Sequence, residues 1–330
     1  MFSLFKLHED LLKAIDKMGF QQATDVQEQT IPPALEHKDL MVSARTGSGK
    51  TVAFLLPLLQ RLLDKPLTED GVRALILAPT RELARQITKQ CKRLCEFTDL
   101  SHTIIIGGDD PKFQVMAIKK NPDIVIATPG RLVEHLERNA IDLSHLQVLV
   151  IDEADRMLEM GFNDSVLQIA DACNNQRQTM LFSASLNHHL FRNMIESVLH
   201  EPQAITLNTI REQHSNIVQQ IILADDYDHK DKLLAWLLGN EQYSKALVFT
   251  NTKLQSDRLG LLMRQQNIRT GTLHGDMEQK DRNQVMTLLR DGKISVLIAT
   301  DVAARGIDIE GIDLVINYNL ARNAQDYAHR

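Results

Sequence analysis

The chain has 330 residues, 43% of them hydrophobic and only 5% aromatic, and a formal net charge of −6. That length suits two globular domains with mainly aliphatic cores, and no apolar run reaches the roughly 18 residues that span a bilayer. The acidic balance excludes a surface built throughout for polyanions, so any grip on nucleic acid has to be local.

The N-terminal stretch MFSLFKLHEDLL carries acids and lacks a small-residue cleavage site, unlike a secretory signal. A cytoplasmic, membrane-free protein is expected, with a monomer as the expected state. Three cysteines are too few for a disulfide scaffold. Cys91 and Cys95 lie four apart on a predicted helix, with no CxxC pair and no nearby histidine cluster. They read as buried thiols in a reducing compartment rather than as a metal site.

Short aliphatic runs then recur along the chain. LMVSA (40–44), ALILAP (74–79), TIIIGG (103–108), DIVIATP (123–129), VLVIDEAD (148–155) and TMLFSAS (179–185) do not alternate apolar with polar, as expected of strands covered on both faces. Helical patterns such as RELARQITKQCKRLCEF (81–97) separate them. Strand alternating with helix predicts a parallel sheet with right-handed crossovers. A second series follows: IVQQIILA (217–224), KALVFTN (245–251), TGTLHG (270–275), SVLIATD (295–301) and LVINYNL (314–320). The segment 203–216 turns polar after a short apolar run and marks the boundary. The expected division is 1–208 and 209–330, two α/β domains whose ligands sit at the carboxyl ends of the strands.

ARTGSGKT (44–51) follows a predicted strand and precedes the helical VAFLLPLLQRLL. A phosphate loop needs that context. Gly47 and Gly49 let backbone amides turn inward, Lys50 can reach the β- and γ-phosphates, and Thr51 can offer its hydroxyl to Mg²⁺. Arg45, Thr46 and Ser48 complete the loop, and Ala44 stands where a first glycine is usual. A Gly-rich turn with a surface lysine is the bland alternative. About 100 residues on, VLVIDEAD sets Asp152 and Glu153 at a strand tip. There Asp152 could hold Mg²⁺ and Glu153 could orient and deprotonate an attacking water. A solvated acidic turn would look the same in isolation, but each motif supplies what the other lacks.

The run Asp152-Glu153-Ala154-Asp155 resembles the signature of the DEAD-box ATP-dependent RNA helicases, and the resemblance covers essentially the whole chain. It implies two tandem RecA-like domains with mostly parallel sheets flanked by helices, binding ATP-Mg²⁺ between them and RNA across the top. GFQQATDVQ (19–27) resembles the family's adenine-reading motif, with Gln27 as reader, Thr24 retained, Phe20 as its aromatic and Phe2 as the isolated upstream aromatic; Ala23 and Val26 depart from the pattern. PTRELA (79–84), Gly107-Gly108 and TPGR (128–131) are similar to the RNA-contacting motifs of the first domain. The resemblance assigns RNA contact to Pro79, Thr80, Arg81, Gly107, Gly108, Thr128, Pro129, Gly130 and Arg131. Singly, any of these is an ordinary turn or helix cap; in order, they are not. Ser183-Ala184-Ser185 stands where the family has Ser-Ala-Thr, and with Asp155 it is assigned to coupling hydrolysis to RNA movement.

In the second domain VFTNT (248–252) and MEQKDR (277–282) resemble further family motifs, with Gln279 and Arg282 as RNA contacts. ATDVAARGIDI (299–309) is a close match to another, giving Thr300 as an RNA contact and Asp308 as the ribose contact. Tyr327-x-His329-Arg330 resembles the start of the motif that carries the arginine fingers, again a coupling element. The second domain is therefore expected to be incomplete. The resemblance implies an RNA-stimulated ATPase that opens short duplexes, of the bacterial ribosome-assembly or RNA-turnover kind, with ribosomal-precursor or RNA-decay proteins as partners. Two other readings stay open here: an ATP-gated RNA clamp with little hydrolysis because those arginines are missing, and a DNA translocase, since recognition of the 2′-hydroxyl is not legible in sequence.

Overall fold

The structure, a computed structural model, describes residues 2–45, 47–65, 71–184, 194–207, 217–304, 309, 311–322, 326–327 and 330. The chain divides into two compact units, Met1–Arg211 and Glu212–Arg330.

In the first unit the six aliphatic runs become β1 (Leu40–Ser43), β2 (Ala74–Leu77), β3 (His102–Ile105), β4 (Ile124–Ala127), β5 (Val148–Ile151) and β6 (Gln178–Ser183). A seventh strand, β7 (Gln203–Thr206), completes the order β3-β4-β2-β5-β6-β1-β7, with every pair parallel. The strands β1, β2, β4, β5 and β6 are buried along their whole length, which explains their unbroken apolar runs. β7 falls inside the segment read as interdomain linker. It is the edge strand beside β1, and only Ile205 is buried, so its QAIT has little of the apolar signal of the central strands.

The helices of this unit include α1 (Glu9–Lys17), α2 (Asp25–Leu35), α3 (Lys50–Asp64), α4 (Arg81–Leu94), α5 (Pro111–Ile118), α6 (Pro129–Glu137), α7 (Ala154–Glu159) and α8 (Asn163–Ala172). They cover both faces of the sheet. On one face α3 is buried almost all round, with Phe54 tilted against Phe182 of β6 at 5.3 Å between ring centroids. α4 buries Leu83, Ala84, Ile87, Cys91 and Leu94, a stripe at helical spacing. On the other face Leu132, Met157, Val166 and Ile169 close the core. Each fully buried Leu or Phe here contributes about 1.5–3 kcal/mol of transfer free energy.

The second unit has β8 (Ala246–Thr250), β9 (Thr270–Leu273), β10 (Val296–Thr300) and β11 (Leu314–Asn317), all parallel in the order β11-β8-β10-β9. Helices α9 (Tyr227–Asn240), α10 (Lys253–Gln265), α11 (Gln279–Arg290) and the short α12 (Asp301–Ala304) accompany them. Two expectations fail. IVQQIILA forms no strand, and Ile217, Val218, Ile221, Ile222 and Leu223 are exposed. An apolar run becomes a strand only where a neighbour accepts its backbone hydrogen bonds, and none of the described strands pairs with it. β11, read as a buried strand, is an edge strand with Val315 42% exposed.

Candidate functional site

Past the motif at 19–27, the motif loops of the first unit leave the carboxyl ends of its parallel strands: 44–49 after β1, 78–80 after β2, 106–108 after β3, Thr128 after β4 and Asp152-Glu153 after β5, while Ser183 ends β6. A parallel sheet therefore gathers, along one edge, residues scattered over 140 positions of sequence.

The loop between β1 and α3 is tightly turned. Gly47 and Gly49 have φ of 77° and 97°, the left-handed region that glycine enters without strain. Gly49 caps α3, whose first residue, Lys50, is only 7% exposed and donates from Nζ to Ala44 O at 3.0 Å. Ser48 Oγ donates to Arg45 O at 2.8 Å, tightening the turn. Thr51 follows in the first helical turn, half-buried. Thr46 lies outside the described residues.

Asp152 is 3% exposed, and burial pushes its carboxyl up to about 6, against the nearby Lys50 ammonium, which favours the charged form. Its Oδ1 accepts from the Glu153 backbone N–H at 2.9 Å. Glu153 itself sits at φ 51°, ψ 51°, a conformation that costs a non-glycine residue about 1–2 kcal/mol. Its carboxylate receives Arg156 Nη1 at 3.1 Å, with both side chains largely buried. Arg156 escaped the sequence reading; its i,i+3 spacing from Glu153 was the available signal. Asp155 takes a backbone amide on each carboxylate oxygen. Its Oδ1 accepts from Arg156 N and its Oδ2 from Ala184 N, both at 3.0 Å, tying the acidic turn to the loop after β6. Ser183 is fully buried, and Ser185 lies outside the described residues.

Gln27 is 5% exposed and engaged on both sides of its amide. Oε1 accepts from Thr24 N at 3.0 Å, the capping box that opens α2, and Nε2 donates to Gly49 O at 3.2 Å. One N–H and one oxygen lone pair are left for a ligand, so the residue assigned to adenine also braces the phosphate loop. Phe2 departs from its assignment. It is 4% exposed and packed edge-on to Phe5 in the core, whereas Phe20 is 36% exposed and is the aromatic of the pair with a face to offer.

The other strand ends carry backbone and cations. Thr80 caps α4, with Oγ1 accepting from Leu83 N at 3.3 Å. The Arg81 guanidinium lies against Gly107 and Gly108; a Cβ at Gly108, where φ is 84°, would collide with Nη1. Thr128 caps α6 without a side-chain bond, Pro129 takes the first helical position, and Gly130 opens onto free space. Arg131 Nη1 donates to Asp109 O at 2.9 Å. A buried pair unnoticed in the sequence supports this loop: Gln114 Nε2 donates to Ile106 O at 2.7 Å, and its Oε1 lies 3.1 Å from His135 Nε2. Gln114 was visible as the one amide within the apolar FQVMAI.

In the second unit Gln279 opens α11 with Nε2 donating to Asn283 Oδ1 at 3.2 Å, and Arg282 reaches His274 O at 3.4 Å. Thr300 ends β10. Asp308 and His329 lie outside the described residues. Arg330 is held inside its own unit. Its guanidinium pairs with Asp301 at 2.6 and 2.8 Å, donates to Asn317 and Asn251, and stacks on Phe249. These bonds gather the carboxyl ends of β8, β10 and β11.

Comparison with known proteins agrees with this geometry. Residues 24–194 match the DEAD/DEAH box helicase family, and residues 228–330 match the helicase conserved C-terminal domain. The chain is 40% identical over 330 residues to the ATP-dependent RNA helicase SrmB of Haemophilus influenzae, covering all of this chain and 75% of that protein. It is 39% identical to the probable ATP-dependent RNA helicase ddx27 of Dictyostelium discoideum, covering 42% of that longer protein. The chain thus spans from about two fifths to three quarters of these relatives. Among solved structures, Saccharomyces cerevisiae Dbp5 bound to RNA and ADP BeF3 superposes with a TM-score of 0.89 at 28% identity, over all of this chain and 84% of that one. With two parallel-sheet RecA-like units and the phosphate loop and DEAD turn at one sheet edge, the chain belongs to the DEAD/DEAH box helicase family.

Proposed function

We propose that the protein is an ATP-dependent RNA helicase whose first unit binds ATP-Mg²⁺ at the ends of β1 and β5 and RNA at the ends of β2, β3 and β4. The observation that carries this reading is the burial of Lys50 beside Asp152 at the mouth of a loop whose glycines take left-handed φ. A surface lysine on a chance turn would be solvated. Here the cation and carboxylate are held in place before any ligand arrives, and such preorganisation is what stabilises charge in phosphoryl transfer.

The donor set fits Mg²⁺, since a carboxylate and a hydroxyl are hard oxygen ligands. Asp152 and Thr51 would hold the ion, which when bound neutralises charge on the β- and γ-phosphates. Lys50 exchanges its bond to Ala44 O for a phosphate oxygen. Glu153, oriented by Arg156, accepts a proton from the attacking water. Asp155, bonded to Ala184 N, carries changes at the acidic turn to the loop after β6. Thr80, Thr128 and the backbone at Gly107, Gly108 and Gly130 offer hydroxyls and close approach to phosphates, which positions RNA without reading its sequence. RNA is the ligand preferred over DNA because the solved relative Dbp5 holds RNA. Ribosomal-precursor or turning-over RNA, met as a monomer in the cytoplasm, is the substrate class we extend from the motif wording.

The test is RNA-stimulated phosphate release and short-duplex unwinding by the chain beside Lys50→Ala. Loss of both activities in the variant, with a matched DNA strand failing to stimulate the parent, supports the reading. Equal stimulation by DNA overturns the RNA assignment, and equal turnover by Lys50→Ala overturns the site.

A further inference from the structure

Among the described residues, one cluster of soft donors stands apart from the nucleotide and RNA loops. Cys91 and Cys95 project from successive turns at the C-terminal end of α4, and His102 opens β3 after the connection 96–101. The two sulfurs and an imidazole nitrogen lie within 4.8 Å of one another. His102, seven residues past Cys95 in the sequence, is brought to the thiols by the chain reversal between helix and strand.

The spacing is that of a chelate. The two Sγ atoms are 3.8 Å apart. Two thiolates bound to a tetrahedral Zn²⁺ at about 2.3 Å stand about 3.8 Å from each other, so the sulfurs can accept the ion without backbone movement. An i,i+4 pair on one helix face presents both ligands in fixed register. Cys91 is fully buried and Cys95 6% exposed, while His102 is half-buried, which leaves the site walled by the helix and open at the imidazole. No described residue takes a hydrogen bond from the His102 ring.

We propose that Cys91, Cys95 and His102 bind a thiophilic divalent cation, Zn²⁺ being the type ion, with water in the fourth position. The ion pins the end of α4 to the start of β3. Those two elements carry Thr80-Arg81 and Gly107-Gly108 at their opposite ends, so the ion fixes the base of the pair that presents the RNA-contacting loops. It is separate from the site proposed for Mg²⁺, where Asp152 and Thr51 would offer hard oxygens from which a thiophilic ion gains nothing.

Co²⁺ is the probe, titrated into the reduced chain without nucleotide. The proposal predicts a thiolate-to-cobalt charge-transfer band that saturates at one equivalent and is displaced by Zn²⁺. Cobalt at the carboxylate site gives no such band, so the two sites are read apart. Cys95→Ser should abolish the band. His102→Ala, whose side chain is half-exposed and whose metal-free melting temperature should match the parent, should weaken Co²⁺ binding at least tenfold. No band, or a band that persists unchanged in His102→Ala or follows Cys173 instead, overturns the proposal.

Discussion

The edge of the first sheet has two halves that solve different problems. At the ends of β1, β5 and β6 the functional groups are buried and bonded to one another: Lys50 to Ala44, Asp152 to the Glu153 amide, Glu153 to Arg156, Asp155 to Ala184. At the ends of β2, β3 and β4 the groups are turns, caps and cations, with Gly130 facing open space and Arg81 laid along two glycines. Chemistry on a phosphate needs charges fixed in a dry setting before the ligand arrives. Gripping an RNA backbone needs accessible donors and a chain that can come close. The contrast teaches that one scaffold can keep rigid and accessible chemistry side by side, by varying how deeply each strand end is buried.

Substitutions can break or sharpen that contrast. The largest effect belongs to the nucleotide half: Glu153→Gln should slow RNA-stimulated phosphate release by about 10²–10⁴-fold while ATP binding persists, since the amide keeps the shape and loses the base. Rapid-quench turnover beside equilibrium nucleotide binding checks it. In the RNA half, Gly108→Ala should displace Arg81 and add about 1–2 kcal/mol of backbone strain at φ 84°. RNA affinity by fluorescence anisotropy should fall about tenfold, with nucleotide affinity measured without RNA unchanged. Asp155→Ala should lower unfolding stability by about 1–3 kcal/mol, because the Ala184 amide loses a partially buried acceptor. Asp155→Asn, which keeps an acceptor there, should recover most of it in chemical denaturation. Gly130→Ala is the smallest. With nothing near its Cβ it should change stability by less than about 0.5 kcal/mol, and weakened RNA binding in that variant would show that the ligand itself fills the space.

Most of this edge was legible in the sequence because its signals are local. A Gly-rich loop between strand and helix, or two acids after four buried aliphatics, states its geometry within a dozen residues. Central strands were legible for the same reason, being apolar on both faces. Failures came where tertiary neighbours decide. β7 is an edge strand with one buried residue, and 217–224 is apolar without a partner, so composition misled in opposite directions. Phe2 was assigned to the ligand on its position, yet the core claims it. Arg330 reads as a coupling residue in a motif, and its bonds to Asp301 and to Asn251, Asn317 and Asn319 are not legible in the sequence. His102 reaches the cysteines only through the turn between α4 and β3, which spacing along the chain does not reveal.

The central claim is that the buried Lys50–Asp152 pair makes the nucleotide half a preorganised ATP site, separable from the RNA half. It is tested most directly by measuring ATP affinity and RNA affinity, each alone, for the parent, Lys50→Ala and Gly108→Ala. The account predicts that Lys50→Ala loses ATP affinity and keeps RNA affinity, and that Gly108→Ala does the reverse. If both variants lose both ligands, or if Lys50→Ala binds ATP as the parent does, the division of the sheet edge described above is contradicted.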